Sequence, residues 1–228
     1  MDYLDNLLFG YYPYLAGTVF LVGSLVRFDM SQYTWKTNSS QIVDNTPRFR
    51  LGNNLFHIGV LFLFFGHLVG LLMPHFLYPY LGLTPASKQV LAMVSGGLAG
   101  LCALAGGTIL LQRRLGNPRV RAQSSQMDIP ILLILYLQLL LGLFTIFFSA
   151  HHMDGSLMIL LSDWAQRIVT FRPDAAAIVS SVPWVYKAHL FLGLTIFLLF
   201  PFTRLVHIWS APVWYLGRSY QIVRKRHA

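Results

Sequence analysis

NLFHIGVLFLFFGHLVGLLMPH, from Asn54 to His75, and HLFLGLTIFLLFPFTRLVHIWSAP, from His189 to Pro212, decide how this chain is read. Each is a run of apolar residues long enough to cross a bilayer core, which takes roughly 20 such residues. Each also carries two imidazoles, His57 and His67 in the first, His189 and His207 in the second. An ionisable ring at membrane depth loses its water partners, so its default reading is functional. Two rings in each of two segments suggest two metal centres.

Outward from these segments, the rest of the chain has the same character. Apolar residues make up 55% and charged residues 11%, against about 25% charged in a soluble domain. Five runs suit membrane spans: Leu7 to Val26, Leu55 to Met73, Val90 to Leu111, Ile129 to Ala150 and Trp184 to Trp209. The connections are too short and too broken for an independent core, so residues 1–228 read as one integral-membrane bundle domain. The expected fold is an all-α five-transmembrane-helix bundle.

The net charge of +9 could suit nucleic acid, but its distribution argues for a membrane. Thirteen of the seventeen basic residues follow spans one and three or lie at the end of span five and in the tail; Lys88, Arg167, Arg172 and Lys187 fall on the other side. By the positive-inside rule the N-terminus is periplasmic and the C-terminus cytoplasmic, as an odd number of spans also requires. The acidic start, with Asp2 and Asp5, has no basic n-region, so span one is expected to remain in the mature protein. Cys102, the lone cysteine, reads as a packing residue within span three.

The connecting segments differ from one another. Asp29 to Arg50 is polar and contains Tyr33 and Trp35, which suits a docking surface for a cytoplasmic partner or a solvated loop with interfacial aromatics. Leu157, Leu160, Leu161, Trp164, Ile168 and Phe171 recur near helical spacing, predicting a short amphipathic helix on the outer membrane face. Span three is rich in small residues, including the Gly96/Gly100 pair, which permit close helix packing or contact with a planar cofactor. His75, the His151–His152 pair and His227 read as interfacial or solvated rings.

With five crossings, span two is antiparallel to span five, so His57 can meet His207 on the cytoplasmic side and His67 can meet His189 near the outer side. The steps are unequal. At ~1.5 Å per residue, His57 to His67 covers roughly 15 Å and His189 to His207 roughly 27 Å. On ideal helices the second pair shares one face, while the first pair is about 80° apart. Both sites can form only if the helices tilt, and Pro201 offers a kink. Facing imidazoles suit bis-histidine ligation of haem iron. Zinc would want further protein ligands that the neighbouring spans do not supply, and a di-iron carboxylate site needs Glu, which this chain lacks entirely. Gly59, Gly66, Gly70 and Gly193 lie near the ligand positions and are expected to make room for porphyrin.

These two segments resemble the haem-bearing spans of the respiratory nitrate reductase gamma subunit, a membrane cytochrome b. YPYLAGTVFLVGSLVRFD with QYTW and SSQ, then PRVRA, SAHHMDGS and WAQRIVTF, extend the resemblance along most of the chain. It implies a bacterial inner-membrane subunit with two haems b, which oxidises quinol and passes electrons to an iron-sulfur beta subunit and then to a molybdenum-containing alpha subunit. By position, His57 and His207 would ligate the inner haem and His67 and His189 the outer one. The family's quinol-site lysine falls on Lys88, with Gly66 flanking the same site. A buried lysine there could hydrogen-bond a quinol oxygen or relay a proton, whereas alone it reads as a charge snorkelling at a span end. Arg113 and Arg114 are placed to pair with inner-haem propionates. Alternatives from the residues are the cytochrome b anchor of a hydrogenase or formate dehydrogenase, and a haem-free transporter or scaffold.

Overall fold

The computed structural model describes residues 3–37, 40, 43–151, 153–210 and 217. His152, the basic tail from Arg218 onward with His227, and Asn38, Ser39, Gln41 and Ile42 lie outside the described residues. Helices dominate, and no strand occurs among the described residues. Five helical segments are long and apolar enough to cross a membrane, Tyr3–Thr34, Pro47–Leu72, Pro85–Gly116, Asp128–Ser149 and Trp184–Phe202; their main helices are α2 (Tyr12–Ser31), α3 (Pro47–Leu72), α4 (Pro85–Gly116), α6 (Asp128–Ser149) and α9 (Trp184–Leu199). Short helices connect or flank them: α1 (Tyr3–Asn6), α5 (Pro118–Ala122), α7 (Ser156–Val169) and α8 (Ala175–Val179).

Two spans are longer than their apolar runs because capping chemistry lies outside the hydrophobic stretch. Thr46 accepts a hydrogen bond from the Phe49 amide and Pro47 opens α3, where its missing N–H costs nothing. Thr84 and Ser87 form a reciprocal capping box at α4, again with proline next. At 32 residues, α4 is about 48 Å long, so its ends protrude from a core about 30 Å thick.

The spans pack in an arc, α3 on α4, α4 on α6, α6 on α9 and α9 on α2. The α3–α4 contact is set by backbone proximity. A Cβ on Gly59 would meet the Ala99 carbonyl at 2.6 Å, and one on Gly106 would meet the Phe56 amide nitrogen at 2.4 Å. Gly59 therefore makes room for α4 and not for porphyrin, contrary to expectation. Gly66 and Gly70 do face open space, while a Cβ on Gly193 would meet Gln138 Nε2 at 3.2 Å. The small residues of α4 serve helix packing on both sides, with Gly100 against Leu143 of α6.

Span five departs from a single helix. Pro201 cannot supply the N–H that would continue the ladder, and α9 ends at Leu199. A 3-10 turn (Phe200–Phe202) follows, then extended backbone at Thr203 and a second 3-10 segment (Arg204–Ile208). Arg27 of α2 stabilises the break by donating from Nη1 to the carbonyls of Pro201 at 2.6 Å and Thr203 at 2.9 Å. The expected kink is thus a helix end, and His189 and His207 do not share one helical face.

At the other end, α7 is amphipathic as expected, but its apolar face is on protein. Leu157, Trp164 and Ala165 pack with Phe9, Ala175, Val179, Val182 and Tyr186. Trp164 Nε1 donates to the Phe9 carbonyl, and Gln166 Nε2 donates to the carbonyls of Leu71 and Met73, which end α3. The helix thereby ties the start of the chain to the end of α3. Phe171 lies beyond it with φ +58° and stacks on Tyr14.

Charged groups sort to the two ends. Asp5 pairs with Lys187 at 2.7 Å at the α7 end. At the opposite end, Arg113 pairs with Asp44 and Arg114 with Asp128, both at 3.1 Å.

Candidate cofactor site at two histidine pairs

α3 and α9 lie apart in the arc, with α4 and α6 between them. Their histidines nevertheless meet across the concave side. The rings of His67 and His189 have centroids 6.0 Å apart and planes inclined by 39°. His57 and His207 lie within electrostatic range of each other at the other end. The structure therefore places the His67 and His189 rings together and leaves His57 and His207 within electrostatic range.

Local hydrogen bonding sets the rings. His57 Nδ1 lies 2.7 Å from the Asn53 carbonyl, His67 Nδ1 2.7 Å from the Leu63 carbonyl and His207 Nδ1 2.5 Å from the Arg204 carbonyl. A carbonyl can only accept, so Nδ1 carries the proton in each and Nε2 keeps a lone pair for a metal. His189 differs. Its Nδ1 is buried without a hydrogen-bond partner, and its Nε2 lies 3.4 Å from Gln138 Nε2. Gln138 also donates to the His189 carbonyl at 3.1 Å, fixing the backbone from α6.

The separation of the two rings bears on the expected role of the His67–His189 pair. The ring centres are 6.0 Å apart. Imidazole nitrogens bind metals at about 2 Å, so two rings at this spacing leave room for one metal ion between them, which His67 and His189 would hold. The His189 nitrogen with a lone pair is Nε2, since the Gln138 amide donates to it and leaves the proton on the buried Nδ1. Among the described residues no cluster of three or more His, Cys or Asp side chains gathers.

Lys88 reaches the Gly70 carbonyl of α3, one turn beyond His67, and is only 5% exposed, so it does not snorkel. Its Nζ donates to the Gly70 carbonyl at 2.8 Å and to the Tyr78 hydroxyl, and it sits 4.2 Å from the Tyr78 ring centre. The carbonyl is available for a sequence reason. In a continuing helix it would accept from residue 74, which is Pro74. Lys88 replaces the lost donor one turn beyond His67, and Gly66 flanks the same region with open space at its Cβ position.

Arg113 and Arg114 occupy the inner end but are committed to protein. Arg113 bonds Asp44 and Ser40 and stacks on Phe49 at 4.1 Å, while Arg114 bonds Ser124 and the buried Asp128. Arg204 adds a second cation 3.7 Å from Asp128. Sequence reading missed Gln138, Asp128 and the Tyr78 partner of Lys88. A polar side chain inside an apolar span was the available signal for Gln138; the other two depend on tertiary contacts.

The comparisons with known proteins agree with this architecture. The family model described as nitrate reductase gamma subunit matches residues 5–226. The chain is 52% identical to the respiratory nitrate reductase 1 gamma chain of Escherichia coli K12 over 227 residues, covering 100% of both chains. It is 53% identical to the respiratory nitrate reductase 2 gamma chain of the same strain, covering 99% of each. Identity to the nitrate reductase gamma chain of Bacillus subtilis 168 is 37%, over 97% of this chain and 98% of that one. The chain belongs to the nitrate reductase gamma subunit family and is a membrane component, an oxidoreductase subunit, of a nitrate reductase complex.

Proposed function

We propose that the chain is the quinol-oxidising cytochrome b subunit of a respiratory nitrate reductase in the bacterial inner membrane, with its N-terminus periplasmic. The observation that carries this reading is the meeting of the His67 and His189 rings, with a buried lysine bonded to α3 one turn beyond His67. His67 and His189 would hold the outer haem b, and His57 and His207 the inner one. Bound there, the two haems would supply one-electron carriage between the bundle's ends.

Lys88 is positioned to hold a quinol oxygen. Two of its three ammonium hydrogens are engaged by Gly70 and Tyr78, leaving one donor for a ligand. Burial makes that bond strong, because water does not compete for the donor. The open space at Gly66 supports entry of a flat head group against α3. At the inner end, the ion pairs of Arg113 and Arg114 brace the start of α3 and of α6. Propionates there would have to share these guanidiniums with Asp44 and Asp128. The iron-sulfur beta subunit would dock at this basic end and pass electrons to the molybdenum-containing alpha subunit.

Stopped-flow reduction of the purified complex tests the reading. Lys88→Ala is expected to slow quinol-driven haem reduction by roughly a hundredfold, with both haems still reducible by dithionite. An unchanged rate with quinol would remove Lys88 from the site.

A further inference from the structure

We infer that Asp128, buried at the start of α6, is a positioning residue for the inner histidine pair. It holds Arg204, whose carbonyl orients His207 and whose guanidinium places a positive charge near that ring. This role rests on the reading of His57 and His207 as ligands of the inner haem.

Of the four ligand candidates, His207 alone is not carried by a membrane-spanning helix. The backbone reaches it through the extended residue Thr203 and a 3-10 segment, so its place must be fixed by contacts from elsewhere. Arg204 supplies them with both its main chain and its side chain. The Arg204 carbonyl accepts from His207 Nδ1 at 2.5 Å, which leaves Nε2 a lone pair for a metal. The guanidinium bonds the Thr37 carbonyl through Nη2 and faces Asp128 Oδ1 at 3.7 Å through Nη1.

Asp128 is suited to hold a cation there. It is only 2% exposed, and its Oδ2 accepts from Arg114 Nη1 and from the Ser125 amide, both at 3.1 Å. Its Oδ1 is buried and has no hydrogen-bond partner among the described residues. A buried carboxylate oxygen in that state needs an opposite charge nearby, and Arg204 is the cation that faces it. Asp128 thereby ties the segment after α9 to α4 and α6.

The balance of charge bears on electron transfer. Two guanidiniums share one carboxylate, so one positive charge is left over, and Arg204 acts electrostatically on His207. Iron held by His207 loses one positive charge on reduction, so a neighbouring cation favours the reduced form. An electron arriving at the inner end is thereby held more strongly, which suits a chain that carries electrons inward.

Redox titration of the intact three-subunit complex, followed by visible and EPR spectra, tests this in Arg204→Gln, Arg204→Lys, Asp128→Asn and the double variant Asp128→Asn/Arg204→Gln. Arg204→Gln is expected to keep both haems and to lower the midpoint of the inner one alone, cutting its ferrous-to-ferric ratio roughly tenfold at a fixed ambient potential. Arg204→Lys, which keeps the charge, should stay near the parent midpoint. Asp128→Asn should shift the inner ferric EPR signal, which reports how the two imidazole planes are set, and should add nothing in the Arg204→Gln background. An unchanged inner midpoint in Arg204→Gln, an equal drop in Arg204→Lys, or an additive effect in the double variant would overturn the assignment. A lower melting temperature with the inner midpoint and signal unaltered would also overturn it, leaving an ion pair that only holds the fold. Two haems retained in His207→Ala would instead remove the inner-ligand reading itself.

Discussion

The two histidine-bearing spans solve the same positional problem in opposite ways. α3 runs unbroken from Pro47 to Leu72, with its histidines ten residues apart. α9 has only ten helical residues after His189 before it ends at Leu199, and the eight residues to His207 turn through 3-10 and extended backbone. The helical reach beyond His189 thus equals the His57–His67 step, about 15 Å. The eighteen-residue spacing does not force a large tilt, because Pro201 converts the excess length into a change of direction. A straight helix held by glycine packing faces a broken one held by side-chain bonds.

Disturbing the glycine packing should have the largest effect. Gly106→Leu would drive a side chain into the backbone of α3 at Phe56, which cannot yield as a flexible side chain would. Separation of α3 from α4 is expected, with loss of both haems from the solubilised complex, read from its visible spectrum. Gly66→Ala is the control on the same helix; with open space around it, folding and haem content should be retained.

The break in α9 should respond more selectively. Pro201→Ala restores an N–H and permits helix to continue past Leu199, displacing His207 while leaving His189 in place. The expected result is a weakened or altered inner haem and an unchanged outer one, resolved by low-temperature spectra and redox titration. Equal loss of both would contradict the independence of the two ends. Arg27→Met, which removes two charged hydrogen bonds from the break, should cost about 2 kcal/mol or more, seen as a lower melting temperature of the detergent-solubilised complex.

What could be read from sequence follows the same division. Bilayer-length apolar runs located all five spans, and antiparallel topology selected the His67–His189 pair whose rings meet, because both depend on hydropathy and connectivity. Their ends were less legible: α3 begins eight residues before Leu55, where Thr46 and Pro47 act outside the membrane core. Pro201 read as a kink because sequence alone does not show that Arg27 and packing against Gly23 reward a full break. Gly59 and Gly66 look alike in sequence, yet one meets α4 and the other open space. Lys88 had the form of a snorkelling charge until Tyr78 and the carbonyl released by Pro74 gave it buried partners.

Haem stoichiometry by pyridine haemochrome, measured per gamma chain in the purified complex and in four single variants, tests the central claim most directly. The account predicts two haems b in the parent chain and one in each of His57→Ala, His67→Ala, His189→Ala and His207→Ala, the first and last losing the same spectral component and the middle two the other. Two haems retained in any of the four, or loss of one component from His57→Ala and the other from His207→Ala, would contradict the paired assignment.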